Sequence, residues 1–326
     1  MSTPQNDDVQ PESWLKYFPV PMFAIVMGIM GLALALHSAS ESIGIVGGAA
    51  QIVMVFGIVC FALISLTYAV KLIRFPAAVA AEWNHPVRLA FFPAISISLL
   101  LISTALLSGA PELARIVWCL GAALQAVLTL SVVSGWISHR SFEVGQLTPA
   151  WFIPAVGNVV APIAGAQLGF IELSWLFFSM GVLFWLVLLT LVFNRLIFHD
   201  PIPAKLLPTL VILVAPPAIA FLAYIALTGQ VDPFARILLN AAYVFAALVA
   251  IQAPKFARLP FALPWWALSF PVAGLSLASF KYAALVGSQA HVWIGVGVLI
   301  LLVGIVTALV LRTGVGLLRN EICVPE

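Results

Sequence analysis

Residues 263–282, LPWWALSFPVAGLSLASFKY, decide how the rest of the chain is read. The stretch is apolar enough to lie in lipid, yet Pro264 opens it and Pro271 interrupts it. A proline inside a spanning helix frees a backbone carbonyl, and lipid cannot satisfy it. Such a helix belongs where protein or a wet cavity can. Small residues follow the break (Gly274, Ser276, Ala278, Ser279), and an aromatic ring, Phe270, directly precedes it. Two readings fit this stretch alone. In one, a kinked helix packs tightly among neighbours with Phe270 in the core. In the other, the helix lines a path and Phe270 obstructs it.

Recurrence favours the second reading. Offset by 178 residues, HPVRLAFFPAISISLL (85–100) aligns with LPWWALSFPVAGLSLA (263–278). Pro86 meets Pro264, Phe92 meets Phe270, Pro93 meets Pro271 and Ser98 meets Ser276. Further outward, ten apolar segments are marked: 16–37, 46–73, 86–108, 112–138, 149–168, 171–198, 205–228, 233–252, 262–286 and 290–318. A span needs about 20 apolar residues. Odd-numbered segments carry the interior prolines, including Pro21, Pro93, Pro154, Pro162, Pro216 and Pro271, and even-numbered segments carry none. Straight helices bond all their backbone internally and can face lipid, whereas broken ones must be shielded. The expected fold is therefore an all-α integral membrane protein of ten transmembrane helices, arranged as five helical hairpins in a quasi-five-fold ring. Kinked odd helices would line a central pore, and straight even helices would lie outside. Every odd helix starts on the same side, which sets the chain apart from inverted-repeat transporters.

Composition agrees with a lipid solvent. Of 326 residues, 63% are hydrophobic and 8% charged, with mean hydropathy +1.15. Soluble domains carry roughly 25% charged residues. Eleven Lys and Arg fall at one set of ends and loops, and only Arg115, Arg236 and Lys281 at the other. The positive-inside rule then places both termini in the cytoplasm. The expected organisation is a polar tail over 1–15, a transmembrane domain over 16–319 and a short tail over 320–326. Cys60, Cys119 and Cys323 have no metal spacing, and no signal peptide is visible. The net charge of +2 points to no nucleic acid.

Chemistry is sparse. All carboxylates and histidines are expected in tails, loops or helix ends, and no nucleophile, metal or phosphate motif is present, so no cofactor, metal or enzyme activity is expected. A pore without fixed carboxylates does not attract cations, whereas freed N–H groups and half-helix N-termini favour anions. Candidates for its polar lining are Ser96, Ser98, Ser103, Asn158, Gln167, Ser269, Ser276 and Ser279. Phe270 is the candidate gate, and Phe92 a second constriction. Arg88, Lys205 and Lys281 are candidates for positive charge at the mouths.

FPVPMFAIVMGIMGLALA, HPVRLAFFPAISISLLL, TPAWFIPAVGNVVAP, LPTLVILVAPPAIAFLAY and WWALSFPVAGLSLASFKYA, from the five odd segments, resemble the tellurite-resistance and C4-dicarboxylate transporter family. That family includes plant guard-cell slow anion channels and bacterial tellurite-resistance protein A. The resemblance implies five hairpins around a pore, a homotrimer with one pore per subunit, anion conduction and a ninth-helix phenylalanine, here Phe270, plugging the pore. It also implies a bacterial-type inner membrane as location. The reading is a passive channel for small inorganic anions such as chloride and nitrate, with malate a further candidate. A proton-coupled C4-dicarboxylate (malate) carrier, or an export protein of tellurite or sulfite type, is the alternative.

Overall fold

The computed structural model describes residues 14–44, 47–138, 142–256, 258–319 and 321–324. Most of the expected tail over 1–15 and part of that over 320–326 lie outside these residues, as do His139 and Arg140. All regular structure among the described residues is helical. Ten apolar helices follow one another: α1 (Val20–Ile43), α2 (Gly48–Arg74), α3 (Arg88–Leu106), α4 (Pro111–Ile137), α5 (Pro149–Gly165), α6 (Ile171–Phe198), α7 (Ala204–Thr228), α8 (Pro233–Phe256), α9 (Leu263–Val286) and α10 (Gln289–Leu318). Nine of them are long and apolar enough to cross a membrane, and α5 is shorter.

The prolines act locally as their chemistry requires. A proline has no N–H to give the carbonyl four residues back, and its ring crowds that carbonyl. Four odd helices therefore open as tight 3-10 turns and relax into α-helix at the break. The 3-10 turns are Val20–Met22, Arg88–Phe91, Ala204–Val214 and Leu263–Leu268, and the α-helical parts begin at Phe23, Ala94, Ala215 and Ser269. Pro21 lies in the first of these turns, Pro93 caps the α-helical part of α3, and Pro216 and Pro271 sit in first α-helical turns. α5 alternates twice, with Pro154 and Pro162 in its two α-helical pieces. This alternation gives α5 its reach. A 3-10 residue rises about 2.0 Å and an α-helical one about 1.5 Å, so its 17 residues span roughly 29 Å, close to the ~30 Å of a bilayer core.

Two boundaries differ from the sequence reading. α8 runs on to Phe256 and takes in Pro254, at an exposed last turn where the freed carbonyl of Ala250 needs no protein partner. A short helix, Pro76–Asn84, follows α2 where only a connection is expected.

Burial separates the two classes. In the membrane-length odd helices 61–78% of the most apolar window is buried, against 11–33% in the even ones. Each even helix packs on the odd helix before it. Among the odd helices, contacts pass from α1 to α3, α3 to α5, α5 to α7, α7 to α9, and from α9 back to α1. The hairpin turns after α7 and α9 are set by Gly229 (φ 69°) and Gly287 (φ 66°), left-handed caps that only glycine adopts without strain.

Candidate functional site

Buried polar side chains gather at and around the breaks of the odd helices, and most of them bond to backbone carbonyls. Ser269 donates to the carbonyl of Trp266 (2.7 Å), and Ser96 to that of Pro93 (2.9 Å) and to Gln125 Oε1 (2.6 Å). In α5, the carbonyl of Pro154 accepts from Thr129 Oγ1 (2.8 Å) and Gln125 Nε2 (3.3 Å), and Asn158 Nδ2 donates to Ala155 (2.6 Å). Trp118 Nε1 donates to the carbonyl of Ala161 (2.8 Å). Ser98, Ser276 and Ser279 donate to the carbonyls of Ala94, Gly295 and Leu275. All these serines and Asn158 are fully buried. In lipid an unpaired carbonyl costs several kcal/mol, so the bonds from Thr129, Gln125 and Asn158 help permit the twice-broken α5, while the serines add second bonds to carbonyls or tie helices together.

α1 and α9 approach most closely at the break. A Cβ on Gly28 would lie 2.2 Å from Ser269 Oγ, and one on Gly31 2.8 Å from Ala273 Cβ and 3.6 Å from Phe270 Cδ2. The FAIVMG stretch thus provides a side-chain-free seat for the turn that carries Phe270.

Phe270 is half-buried, and its ring lines a cavity of about 40 Å³. Every odd helix contributes to that cavity. α1 gives Met27, α3 Ile97, α5 Val156 and Val160, α7 Ile212 and Ile219, and α9 Phe270. The lining residues are apolar throughout, with no carboxylate or imidazole among them. Roughly 10–15 Å³ of such space admits one water, so the cavity holds no more than a few. An anion there would lose its hydration and find no side-chain donor, at a cost of order 20 kcal/mol in an idealised dry medium.

The other sequence candidates are placed elsewhere. Ser96, Ser98, Asn158, Ser269, Ser276 and Ser279 bond backbone carbonyls and are not among the residues lining this cavity, nor is Ser103, which donates to Ala114. Gln167, in the turn after α5, donates to the carbonyl of Ile163. Phe92 is buried edge-on against Trp83 (ring centroids 4.9 Å) and Tyr68 (6.3 Å), and Ile97 takes its place at the cavity. Lys205 and Lys281 are exposed, and Arg88 is half-buried at the start of α3.

Three ionisable groups lie near helix ends, as expected, yet are buried there. Lys71 and Glu82 are buried and paired at 2.8 Å. Arg195, near the end of α6, is 3% exposed and donates to the carbonyls of Val144, Gly145 and Leu147. Each cation is held because backbone carbonyls help solvate it. The sequence signal is faint, a cation near a helix end that the positive-inside count assigns to the interface. The cavity liners Met27, Ile97 and Ile219 carry no signal, since an aliphatic residue reads alike on every face.

Residues 17–314 match the family described as voltage-dependent anion channel (SLAC1). The chain is 28% identical over 300 residues to the S-type anion channel SLAH3 of Arabidopsis thaliana, covering 87% of this chain and 47% of that one. It is 27% identical over 294 residues to an uncharacterized transporter of Methanocaldococcus jannaschii, covering 82% and 85%. It is 27% identical over 275 residues to a tellurite resistance protein TehA homolog of Haemophilus influenzae, covering 80% of each. The chain spans about half the length of the plant relative.

Proposed function

The chain belongs to the voltage-dependent anion channel family, and from that premise we propose that it is a passive channel for small inorganic anions, chloride and nitrate foremost. The observation that carries this reading is the cavity to which all five odd helices contribute and which Phe270 lines. In this reading the contacts that lead from α1 round to α9 and back close a quasi-five-fold ring, and the shared cavity lies on its axis. Phe270 is the gate, closed here by a ring of apolar side chains. It opens when the Phe270 ring leaves the axis. Thr129, Gln125 and Asn158 serve the broken backbone of α5 without lining the constriction, and the buried serines hold their carbonyls outside it. Arg88, Lys205 and Lys281 add positive charge toward the mouths.

The same proposal places both termini in the cytoplasm, takes residues 16–319 as the channel domain between two short tails, and assembles three copies with one pore each. The proton-coupled carrier is not favoured, because it needs a titrating group beside the path and none lines the cavity.

Voltage-clamp currents from cells expressing wild type and Phe270→Ala, with chloride, nitrate and malate exchanged, test the proposal. Small wild-type and large variant currents that reverse at the anion potential are expected. Equal currents from both would remove Phe270 as the gate, and a cation-selective reversal potential would overturn the channel assignment.

A further inference from the structure

The start of α1 is broken by Pro19 and Pro21, and it leaves two backbone groups without helical partners. The carbonyl of Phe18 finds no N–H at Pro21, three residues on. The N–H of Val20, in the first turn, has no carbonyl behind it. Both are met by one buried ion pair. Lys71 Nζ, near the end of α2, donates to the Phe18 carbonyl at 2.8 Å and to Glu82 Oε2 at 2.8 Å. Glu82 Oε1 accepts from the N–H of Val20 at 3.2 Å, and Oε2 accepts from the hydroxyl of Tyr68 at 2.7 Å. The side chains of Lys71 and Glu82 are 1% and 3% exposed.

Glu82 belongs to the short helix Pro76–Asn84. Its neighbour Trp83 meets Phe92 edge-on, with ring centroids 4.9 Å apart and planes at 85°. Phe92 directly precedes Pro93, the break of α3. Two consecutive residues of one short helix therefore grip the broken starts of α1 and of α3. The cavity liners Met27 and Ile97 lie five residues beyond Met22 and Phe92, roughly 7 Å deeper along their helices. A buried ion pair is weak evidence for stability, because apolar residues of similar volume serve as well. A pair that joins three chain segments at a helix break has a positional use.

We propose that Pro76–Asn84 is a strap that holds α1 and α3 in the closed arrangement, with Glu82, Lys71 and Trp83 as positioning residues for the pore. The strap acts through two of the five helices around Phe270, and so rests on the gate reading above. Releasing it frees the first turns of both helices and loosens Met27 and Ile97 at the cavity that Phe270 lines.

The test measures whole-cell anion current, normalised to surface protein, for Glu82→Gln and for Trp83→Ala, each with Phe270 and with Phe270→Ala. Glu82→Gln keeps the shape and an acceptor for Val20, and removes only the charge that holds Lys71. Trp83→Ala releases the strap from its other side without leaving a charge unpaired. With Phe270 present, each variant is expected to raise basal current roughly five- to tenfold. With Phe270→Ala, the gate is gone and neither adds a further increase. Unchanged or reduced current in the Phe270 background overturns the strap, as does the same proportional change in both backgrounds, which marks a general structural effect. Both results leave a large Phe270→Ala current standing. A Phe270→Ala current no larger than wild type overturns the gate itself, and the strap with it.

Discussion

Replacing Gly28 by alanine adds one methyl group at the tightest approach between α1 and α9. The new Cβ would lie 2.2 Å from Ser269 Oγ, 2.8 Å from Ser269 Cβ and 3.0 Å from Trp266 Cε3. Ser269 cannot swing away freely, because its hydroxyl holds the Trp266 carbonyl at 2.7 Å and the residue is fully buried. Trp266 is 1% exposed, and its indole N–H is spent on Thr313 Oγ1 at 2.9 Å. The helices must therefore part. Overpacking of this kind costs about 1–3 kcal/mol, against which alanine returns about 0.5–1 kcal/mol of helix preference over glycine. Gly304 in α10 supplies the control, since a Cβ there meets nothing within 4 Å and only the helix gain remains. Thermal unfolding of the detergent-solubilised protein should show Gly28→Ala less stable than wild type by about 1–2 kcal/mol and Gly304→Ala equal or slightly more stable. Ser269→Ala in the Gly28→Ala background should recover part of the loss, because the nearest clashing atom is then absent. If Gly28→Ala proves as stable as Gly304→Ala, the seam does not constrain the helices, and the account of how Phe270 is seated fails.

Three further outcomes follow from the geometry. Thr129→Val leaves Asn158 and the Pro154 carbonyl short of a buried partner and should cost about 1–3 kcal/mol in thermal unfolding, while Thr129→Ser should be close to wild type. The Tyr224 hydroxyl, 2.5 Å from Asp232, and the N–H of Ala235 hold the Asp232 carboxyl below the usual carboxylate range. A depressed carboxylate stabilises the fold above its unfolded pKa of about 4 and loses that contribution as pH falls through the lower folded value. Melting curves of wild type and Tyr224→Phe should therefore differ at neutral pH and converge in acid; a gap that widens on acidification would reverse the sign of this argument. Ile219→Ser places a hydroxyl in the apolar cavity and should raise basal anion current less than Phe270→Ala does, and a current below wild type would count against a dry constriction there.

Much of the architecture is legible in the proline positions, because a missing N–H is a chemical fact that any environment must answer. Odd and even helices sort by proline, and their burial sorts the same way. Polarity was harder to place. A buried serine in a broken helix has two uses, lining a wet path or mending backbone, and sequence does not separate them. Ser96 and Ser269 bond carbonyls beside the breaks of their own helices, and Ser276 ties α9 to the Gly295 carbonyl of α10. The repeat that aligns Phe92 with Phe270 fixes register along the helix, but each ring's neighbours come from other segments. Phe92 finds Trp83 on the short helix, whereas Phe270 finds the seat left by Gly31. Lys71 and Glu82 lie eleven residues apart across a helix boundary, so no helical spacing announces their pairing.

The contact between α1 and α9 has a consequence for how the protein is made. Gly28 and Ser269 are separated by 241 residues, and α1 is among the most buried helices. At synthesis rates of about 5–20 residues per second, α1 waits roughly 10–50 seconds in the membrane before the segment that covers it has been translated. Through that interval the first helix, with its broken start and small-residue flank, has no permanent neighbour on that side. The fold therefore waits on late docking of the last hairpin, and truncation anywhere before the ninth span leaves α1 without the surface that meets Gly28.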